Sequence, residues 1–338
     1  MKQLRLSQMA VRRLISVLML AFLVCLFTVL AGYGKGNFFS SANLIEIVRD
    51  ASIPAIIGVG VTFIIITSGI DLSTGSMMAL VGMVMANIYE YTLWPFKVMV
   101  LCGLLTGLLC GLVNGLIVAK LNVPEFIGTL ATMSIYRAMT YITAIRNENG
   151  VIKSQAMNHS QYVWLGTGVG KFYYVIMAMI VFIVVGQIIL RYTRYGTNLY
   201  SVGANRKAAT LSGINVAKTR IIAYMITGFA TAVGAVFTTA RLQSATTAIG
   251  TDFEFSPIAA AVVGGTALSG GSGDVIGTLI GALFMATLEN GVRKLDMNTS
   301  FQYIIKGLII IAIVIFDSTY KARMERKAKE QGAKEGLE

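Results

Sequence analysis

Charged residues are scarce in this chain. Only 13% of its 338 residues are Asp, Glu, Lys or Arg, whereas 55% are hydrophobic and the mean hydropathy is +0.71. A soluble domain carries about 25% charged residues, because these residues cover its apolar interior. Long, mostly uncharged runs recur along the whole sequence, and a helix of roughly 20 apolar residues crosses a bilayer. The composition excludes a soluble domain and predicts an all-α integral membrane protein.

Residues that support catalysis are also few. The chain has one histidine, His159, and three cysteines in apolar runs, Cys25, Cys102 and Cys110. Such a sparse, odd set excludes a disulfide framework. The sequence has no HExxH, no GxSxG and no Cys/His metal cluster. The string nearest to a Walker A motif, Gly166–Phe172, lacks the first glycine and the final Ser or Thr. We predict no enzyme activity, no cofactor and no metal.

Positive charge is in excess, with a net charge of +12. In a membrane protein, Lys and Arg mark the cytoplasmic loops, so we do not expect a nucleic-acid partner. Ten spans are predicted, at 13–32, 51–68, 74–92, 97–119, 126–145, 172–190, 220–241, 254–269, 273–290 and 301–317. With the N-terminus inside, 17 of the 28 Lys and Arg residues lie on the cytoplasmic side and 10 outside. This bias predicts that both termini are cytoplasmic.

The predicted topology divides the chain into three parts. Residues 1–12 form a basic cytoplasmic tail, 13–317 a transmembrane domain, and 318–338 a charged cytoplasmic tail. The basic start followed by Leu14–Ala31 also resembles a cleaved signal peptide. Because this apolar run is longer than that of a usual signal peptide, we interpret it as a retained first span.

Two polar, glycine-rich segments interrupt the predicted spans. They are Ser68–Ser76 and Gly264–Asp274, and each contains one carboxylate and leads into an apolar helix. Non-helical backbone at membrane depth requires protein or a wet cavity to satisfy it. Asp71 and Asp274 should therefore face a wet cavity, pair with a donor or cap the following helix. The segments are either cytoplasmic turns, with Asp71 capping the third span, or part of a translocation path. The candidate path residues are Asp71, Ser73, Asn114, Gly264, Gly265, Ser269 and Gln302.

Other local patterns predict how the spans begin and pack. Glycine recurs every fourth residue over 103–115 and over 273–281, which predicts close helix contacts within the bundle. Arg137 lies mid-span and should point inward to a partner, whereas Glu254 should snorkel at an outer end. Asn43 is expected to cap a short surface helix that leads into Pro54.

A polar, basic loop lies between two spans, at residues 191–220. Within it, Asn205 can cap a two-turn helix that Gly213 ends. The small residues Ala208 and Ala209 could then sit in a cleft of a cytoplasmic partner. Ala-Ala followed by Gly resembles the EAA loop of ABC importer permeases, with Lys207 in place of the usual Glu.

Several motifs together resemble one family, the ribose/galactose/xylose/autoinducer-2 permeases of ABC importers. They appear in the family's order over about residues 38–317, as Ser68–Ser73, Leu121–Ile127, Arg194–Asn198, Gly203–Asn205 and Val263–Gly273. The closing segment, Gln302–Gly307, is most similar to methyl-galactoside/galactose-type members.

This resemblance implies a sugar importer in a bacterial inner membrane. Two permease subunits, as a homodimer or heterodimer, would form the path within membrane lipid. ATP-binding subunits would drive transport, and an extracytoplasmic binding protein would deliver the sugar. The expected ATPase-docking residues are Gly203, Asn205, Lys207, Ala208, Ala209, Ser212 and Gly213.

Other functions remain open on the sequence alone. An ion-gradient-driven secondary transporter would work without ATPase partners and would favour paired acidic residues mid-span. A membrane-embedded enzyme lacks its nucleophile and base. A scaffold that contacts a partner without transporting anything is also compatible with the loop.

Overall fold

The computed structural model describes residues 2–32, 38–92, 95–146, 152–168 and 173–298, together with residue 150 and scattered positions from 300 to 315. In chain order the elements are α1 (Lys2–Gly32), α2 (Ser41–Ile66), α3 (Thr74–Tyr91), α4 (Phe96–Ala119), α5 (Glu125–Thr143), β1 (Gln155–Ala156), α6 (Ser160–Thr167), α7 (Tyr174–Tyr192), α8 (Arg194–Ala204), α9 (Arg206–Leu211), α10 (Val216–Leu242), β2 (Ser244–Ala245), α11 (Phe255–Val263) and α12 (Val275–Lys294). The chain is therefore mostly helical, as the composition predicts.

Nine of the ten predicted spans coincide with a helix, but not all of these helices are long and apolar enough to cross a membrane. Six in the described part are long and apolar enough to cross a membrane: α2, α4, α7, α10, α12 and the 13–30 stretch of α1. The other three are α3, α5 and α11, of which α11 has only nine residues. The count of ten is thus not confirmed. The tenth predicted span and the 318–338 tail lie largely or wholly outside the described residues.

Helix α2 forms the centre of the bundle, packed by α7, α10, α11 and α12. It begins at the N-cap Ser40, whose side chain accepts from Asn43 N, and it continues without a break past Pro54. The prediction of a separate surface helix capped by Asn43 was wrong. Asn43 is instead buried within the first turn and donates from Nδ2 to Phe38 O at 2.9 Å.

The glycine repeats do bring helices into backbone contact, as predicted. A Cβ placed on Gly107 would lie 2.5 Å from the Ala232 Cβ of α10, and one on Gly115 would lie 2.9 Å from Ile221 Cα. A Cβ on Gly281 of α12 would lie 2.8 Å from Gly264 N at the end of α11. Real Cβ atoms essentially never come closer than 3.0 Å, so only glycine permits these approaches.

The outer faces of several helices are apolar. On α4, Leu101, Leu105, Leu109 and Val113 recur every fourth residue and are 43–59% exposed. Exposed apolar residues at helical spacing would be unfavourable in water, and they match a surface that contacts hydrocarbon. The described part of the chain is therefore a helical bundle with a packed interior and an apolar exterior.

Candidate translocation path and docking surface

The two interrupted segments contact each other at one end of the bundle. The Ser68 hydroxyl donates to Ser269 O at 2.9 Å, and Gly271 N donates to Ile66 O at 2.8 Å. The sequence suggested that the segments are alike, and the structure shows that they are also neighbours. The end of α2 and the connection from α11 to α12 therefore form one continuous surface.

A buried polar cluster follows the first segment. Ser73 donates to Asp71 Oδ1 from its backbone N at 2.8 Å and from its hydroxyl at 2.7 Å. Asn114 of α4 donates to the Ser73 hydroxyl at 2.7 Å, and its Oδ1 accepts from the Tyr136 hydroxyl of α5 at 3.0 Å. Asp71 and Ser73 have no exposed surface, and Asn114 has 1%. The cluster thus connects the start of α3 to both α4 and α5.

Not every candidate path residue joins this cluster. Gly264 and Gly265 lie where α11 ends, and a Cβ on Gly264 would lie 2.6 Å from Thr278 N of α12. Gly265 has a φ of +92°, which glycine adopts without strain. Ser269 lies on the surface described above, while Gln302 is outside the described residues.

The two aspartates differ in their roles. Asp274 is the N-cap of α12, accepting from Gly277 N at 3.2 Å, and it forms an ion pair with Arg13 at 2.6 Å. The capping interpretation is therefore confirmed for Asp274. The capping interpretation was wrong for Asp71, which lies three residues before α3 and accepts from the backbone N of Ser73, the residue at the N-cap. None of the ion pairs found in the described ranges includes Asp71.

A loop after β2 enters the bundle and meets the start of α3. Arg137 of α5 donates to Thr247 O at 2.7 Å and to Ile249 O at 3.0 Å, so it finds the inward partners that the sequence predicted. Gly75 packs against Gly250 and the Glu254 carboxylate with no room for a Cβ. Glu254 is only 4% exposed, so the prediction that it snorkels at an outer end was wrong.

The short helix α9 in the 191–220 loop has the predicted caps. Asn205 accepts from Ala208 N at 3.0 Å at the start of α9, and Gly213 has a φ of +79° just after its end. Ala208, Lys207 and Ser212 are exposed, whereas Ala209 is only 3% exposed and packs against its own chain. Leu211, which the docking set predicted from the sequence does not include, is 91% exposed. A lone leucine among polar neighbours was the available signal.

The two helices of the 191–220 loop, α8 and α9, are called the loop helices. They pack directly against the end of α2 and the two interrupted segments. A Cβ on Gly203, at the end of α8, would lie 2.5 Å from Gly271 N and closer still to Ile66 O. Tyr200 of α8 also donates to Gly273 O at 2.8 Å. Movement of α8 and α9 would therefore act on the end of α2 and on the start of α12 without any intermediate.

The described residues offer little for bond-making chemistry. No group of three or more His, Cys, Asp or Glu residues that could hold a metal occurs among them. The arrangement instead supports mechanical coupling between a surface helix and the interior of a bundle.

Comparison with known proteins identifies relatives over most of the chain. A family model described as "Branched-chain amino acid transport system / permease component" matches residues 43–314. The chain is similar to "Ribose import permease protein RbsC" of Haemophilus influenzae, with 38% identity over 288 residues, covering 83% of this chain and 87% of that protein. It is 39% identical to RbsC of Escherichia coli K12 over 284 residues, covering 83% and 87%. It is 30% identical to "Xylose transport system permease protein XylH" of Escherichia coli K12 over 363 residues, covering 90% and 92%. No solved structure matches the chain.

Proposed function

Because this chain belongs to the family of branched-chain amino acid transport system / permease components, we propose that it is the membrane-spanning subunit of an ATP-driven importer for a monosaccharide. The resemblance found in the sequence is confirmed, since the relatives named above are import permeases for ribose and xylose. The chain is a permease and not an enzyme, so ATP hydrolysis belongs to partner subunits. An ion-gradient-driven transporter is not favoured.

The observation that carries this proposal is the position of Gly203. It seats the loop helices against Ile66 at the end of α2 and against Gly271 in the second interrupted segment, and its carbonyl oxygen accepts from the Ser68 hydroxyl of the first segment at 3.4 Å. An ATPase that binds α9 would therefore act on both segments at once. Ala208 and Leu211 offer an exposed docking surface, Lys207 and Ser212 flank it, and Asn205 and Gly213 fix the ends of the helix. Ala209 holds α9 onto its own chain.

We place the sugar path beside the buried polar cluster. Asp71, Ser73 and Asn114 supply hydroxyl, amide and carboxylate groups, which are the groups that bind sugar hydroxyls. Gly264, Gly265 and Ser269 shape the second segment, and Gln302 completes the candidate set from the sequence. The substrate class follows from the named relatives and includes ribose, xylose and, from the closing motif, galactose.

A second permease subunit would contact α5. This helix exposes Phe126, Ile127, Ile135 and Ile142 by 53–80%, yet it is not among the six helices apolar enough to span a membrane. Its exposed face also carries the small residues Ala131, Ser134 and Ala138, which permit close helix approach. The proposed location is a bacterial inner membrane with both termini cytoplasmic. An extracytoplasmic binding protein would deliver the sugar from the opposite side.

Uptake in cells tests this function. A strain that lacks the chain is complemented with it, and entry of radiolabelled ribose, xylose and galactose is measured with and without its binding protein and ATPase. We expect uptake of at least one sugar only when all components are present. Uptake that persists without the ATPase would contradict the proposal.

A further inference from the structure

We propose that Glu125, the first residue of α5, transmits the movement of the docking helix α9 to the transmembrane bundle. The inference rests on the proposed function and adds a positioning residue to it. In the sequence, Glu125 belongs to the family-like motif Leu121–Ile127, and neither the docking set nor the path set includes it.

One carboxylate oxygen of Glu125 binds two arginines from different elements. The Arg206 guanidinium, at the start of α9, lies 2.7 Å from Glu125 Oε1, and the Arg220 guanidinium of α10 binds the same oxygen. Arg206 also donates to Thr67 O, just after α2, at 3.2 Å. Arg220 donates to Val118 O near the end of α4 at 3.4 Å. Glu125 therefore lies where four long helices, α2, α4, α5 and α10, meet the docking helix.

The charges make the position of α9 depend on this carboxylate. The Arg220 side chain is only 7% exposed, whereas that of Arg206 is 44% exposed. Exposed ion pairs contribute little to stability, but a buried charge that loses its partner is strongly destabilised. Without Glu125, two like charges would face each other, and the exposed Arg206 is the one that is free to leave. The start of α9 would then separate from α5 and α10.

Helix α5 connects this junction to the buried polar cluster. One turn beyond Glu125, the Thr129 hydroxyl lies 3.4 Å from Ile70 O, beside Asp71. Three turns beyond it, about 16 Å along the helix at 1.5 Å per residue, the Tyr136 hydroxyl contacts Asn114 Oδ1. A displacement of Arg206 that carries Glu125 with it therefore moves the residue that contacts the cluster.

The opposite end of the bundle provides a matched control. Asp50 of α2 also binds two arginines, Arg241 of α10 at 2.9 Å and Arg293 of α12 at 2.6 Å. This junction has the same chemistry and a similarly shielded carboxylate, but it is remote from α9. Asp50→Asn removes two ion pairs, with Arg241 and Arg293, and leaves the contacts between α9, Glu125 and the buried polar cluster unchanged.

The test measures sugar uptake and ATP hydrolysis in the same vesicles. The whole complex, with ATPase and binding protein, is reconstituted with each variant, and the sugar moved per ATP hydrolysed is compared. We expect Glu125→Gln to lower this ratio at least about tenfold, within the usual range of coupling between sites. Asp50→Asn should keep the ratio within about twofold of the unmodified complex.

A second variant separates transmission from a structural role. Arg206→Gln removes the docking-helix partner of Glu125, together with the Arg206 hydrogen bond to Thr67 O, and leaves the pair between Glu125 and Arg220. If Glu125 acts through Arg206, this variant lowers the ratio as much as Glu125→Gln does, and the double variant lowers it no further. Arg206→Gln also tests the inference if Glu125→Gln does not assemble. Because Arg206 is half exposed, we expect this variant to fold and assemble.

Three results would overturn the inference. They are an unchanged ratio in Glu125→Gln, an equal loss in Asp50→Asn, and a normal ratio in Arg206→Gln. In each of them the unmodified complex still imports sugar, so the proposed function stands. An unmodified complex that hydrolyses ATP but moves no sugar would overturn both.

Discussion

Replacement of Gly203 by alanine tests the contact of the loop helices, α8 and α9, with the end of α2 and the second interrupted segment. The new Cβ would lie 2.5 Å from Gly271 N, whereas ordinary contact begins at 3.4 Å, and it would lie closer still to Ile66 O. Both neighbours are backbone atoms, which cannot rotate away as a side chain can. The loop helices and the segments must therefore separate by about 1 Å or more.

Overpacking of this kind costs about 1–3 kcal/mol. We expect α8 and α9 to move and the bundle to stay in place, because these short helices can shift more easily than the packed bundle. As a coupling free energy, 1–3 kcal/mol corresponds to about 5- to 150-fold. We expect sugar uptake per ATP to fall by a factor in this range.

The assay is ATP-driven uptake by the reconstituted complex, together with the melting temperature of the purified chain. Gly307→Ala is the control, since a Cβ there meets nothing within 4 Å. Gly203→Ala should reduce uptake per ATP and change the melting temperature only slightly. Uptake at the level of the control would refute the argument that this contact couples the docking helix to the path.

Three further substitutions test other parts of the structure. Leu211→Asp should abolish co-purification of the ATPase, because it places a charge on the exposed apolar tip of α9, while Leu211→Met should preserve it. Gly111→Ala should lower the free energy of unfolding by about 1–3 kcal/mol, seen as a lower melting temperature, because its Cβ would lie 3.0 Å from Met225 Cα. Arg137→Leu removes two charged hydrogen bonds, each contributing about 1.5–3 kcal/mol, and should raise hydrogen exchange over residues 246–254.

Each of these expectations has a result that contradicts it. Normal co-purification of the ATPase with Leu211→Asp would mean that Leu211 of α9 is not part of the docking surface. An unchanged melting temperature for Gly111→Ala would mean that α4 and α10 are not in backbone contact. Unaltered exchange over 246–254 in Arg137→Leu would mean that the loop after β2 is held by other groups.

Periodic and capping signals in the sequence predicted much of the helical structure. The glycine repeats identified close helix contacts correctly, because a four-residue spacing fixes one helix face regardless of the partner. Asn205 and Gly213 bounded α9 correctly, because capping is local. Arg137 was correctly expected to find partners, since a cation within a bundle requires them.

Long-range contacts explain what the sequence did not predict. The sequence predicts a short surface helix before Pro54, but α2 continues past this residue because packing on several sides stabilises the helix. Glu254 was placed at an outer end because hydropathy does not show that the loop after β2 turns into the bundle. The ion pairs of Glu125 could not be predicted because its two arginines lie 81 and 95 residues away in the sequence.

The account depends on a bundle that is driven from its cytoplasmic side by separate ATPase subunits. The most direct measurement is the accumulation of a labelled sugar against its gradient in vesicles that contain the purified chain, with or without the ATPase and binding protein. We predict accumulation only in the complete system supplied with ATP. Accumulation by the chain alone, driven by a proton or sodium gradient, would contradict the account.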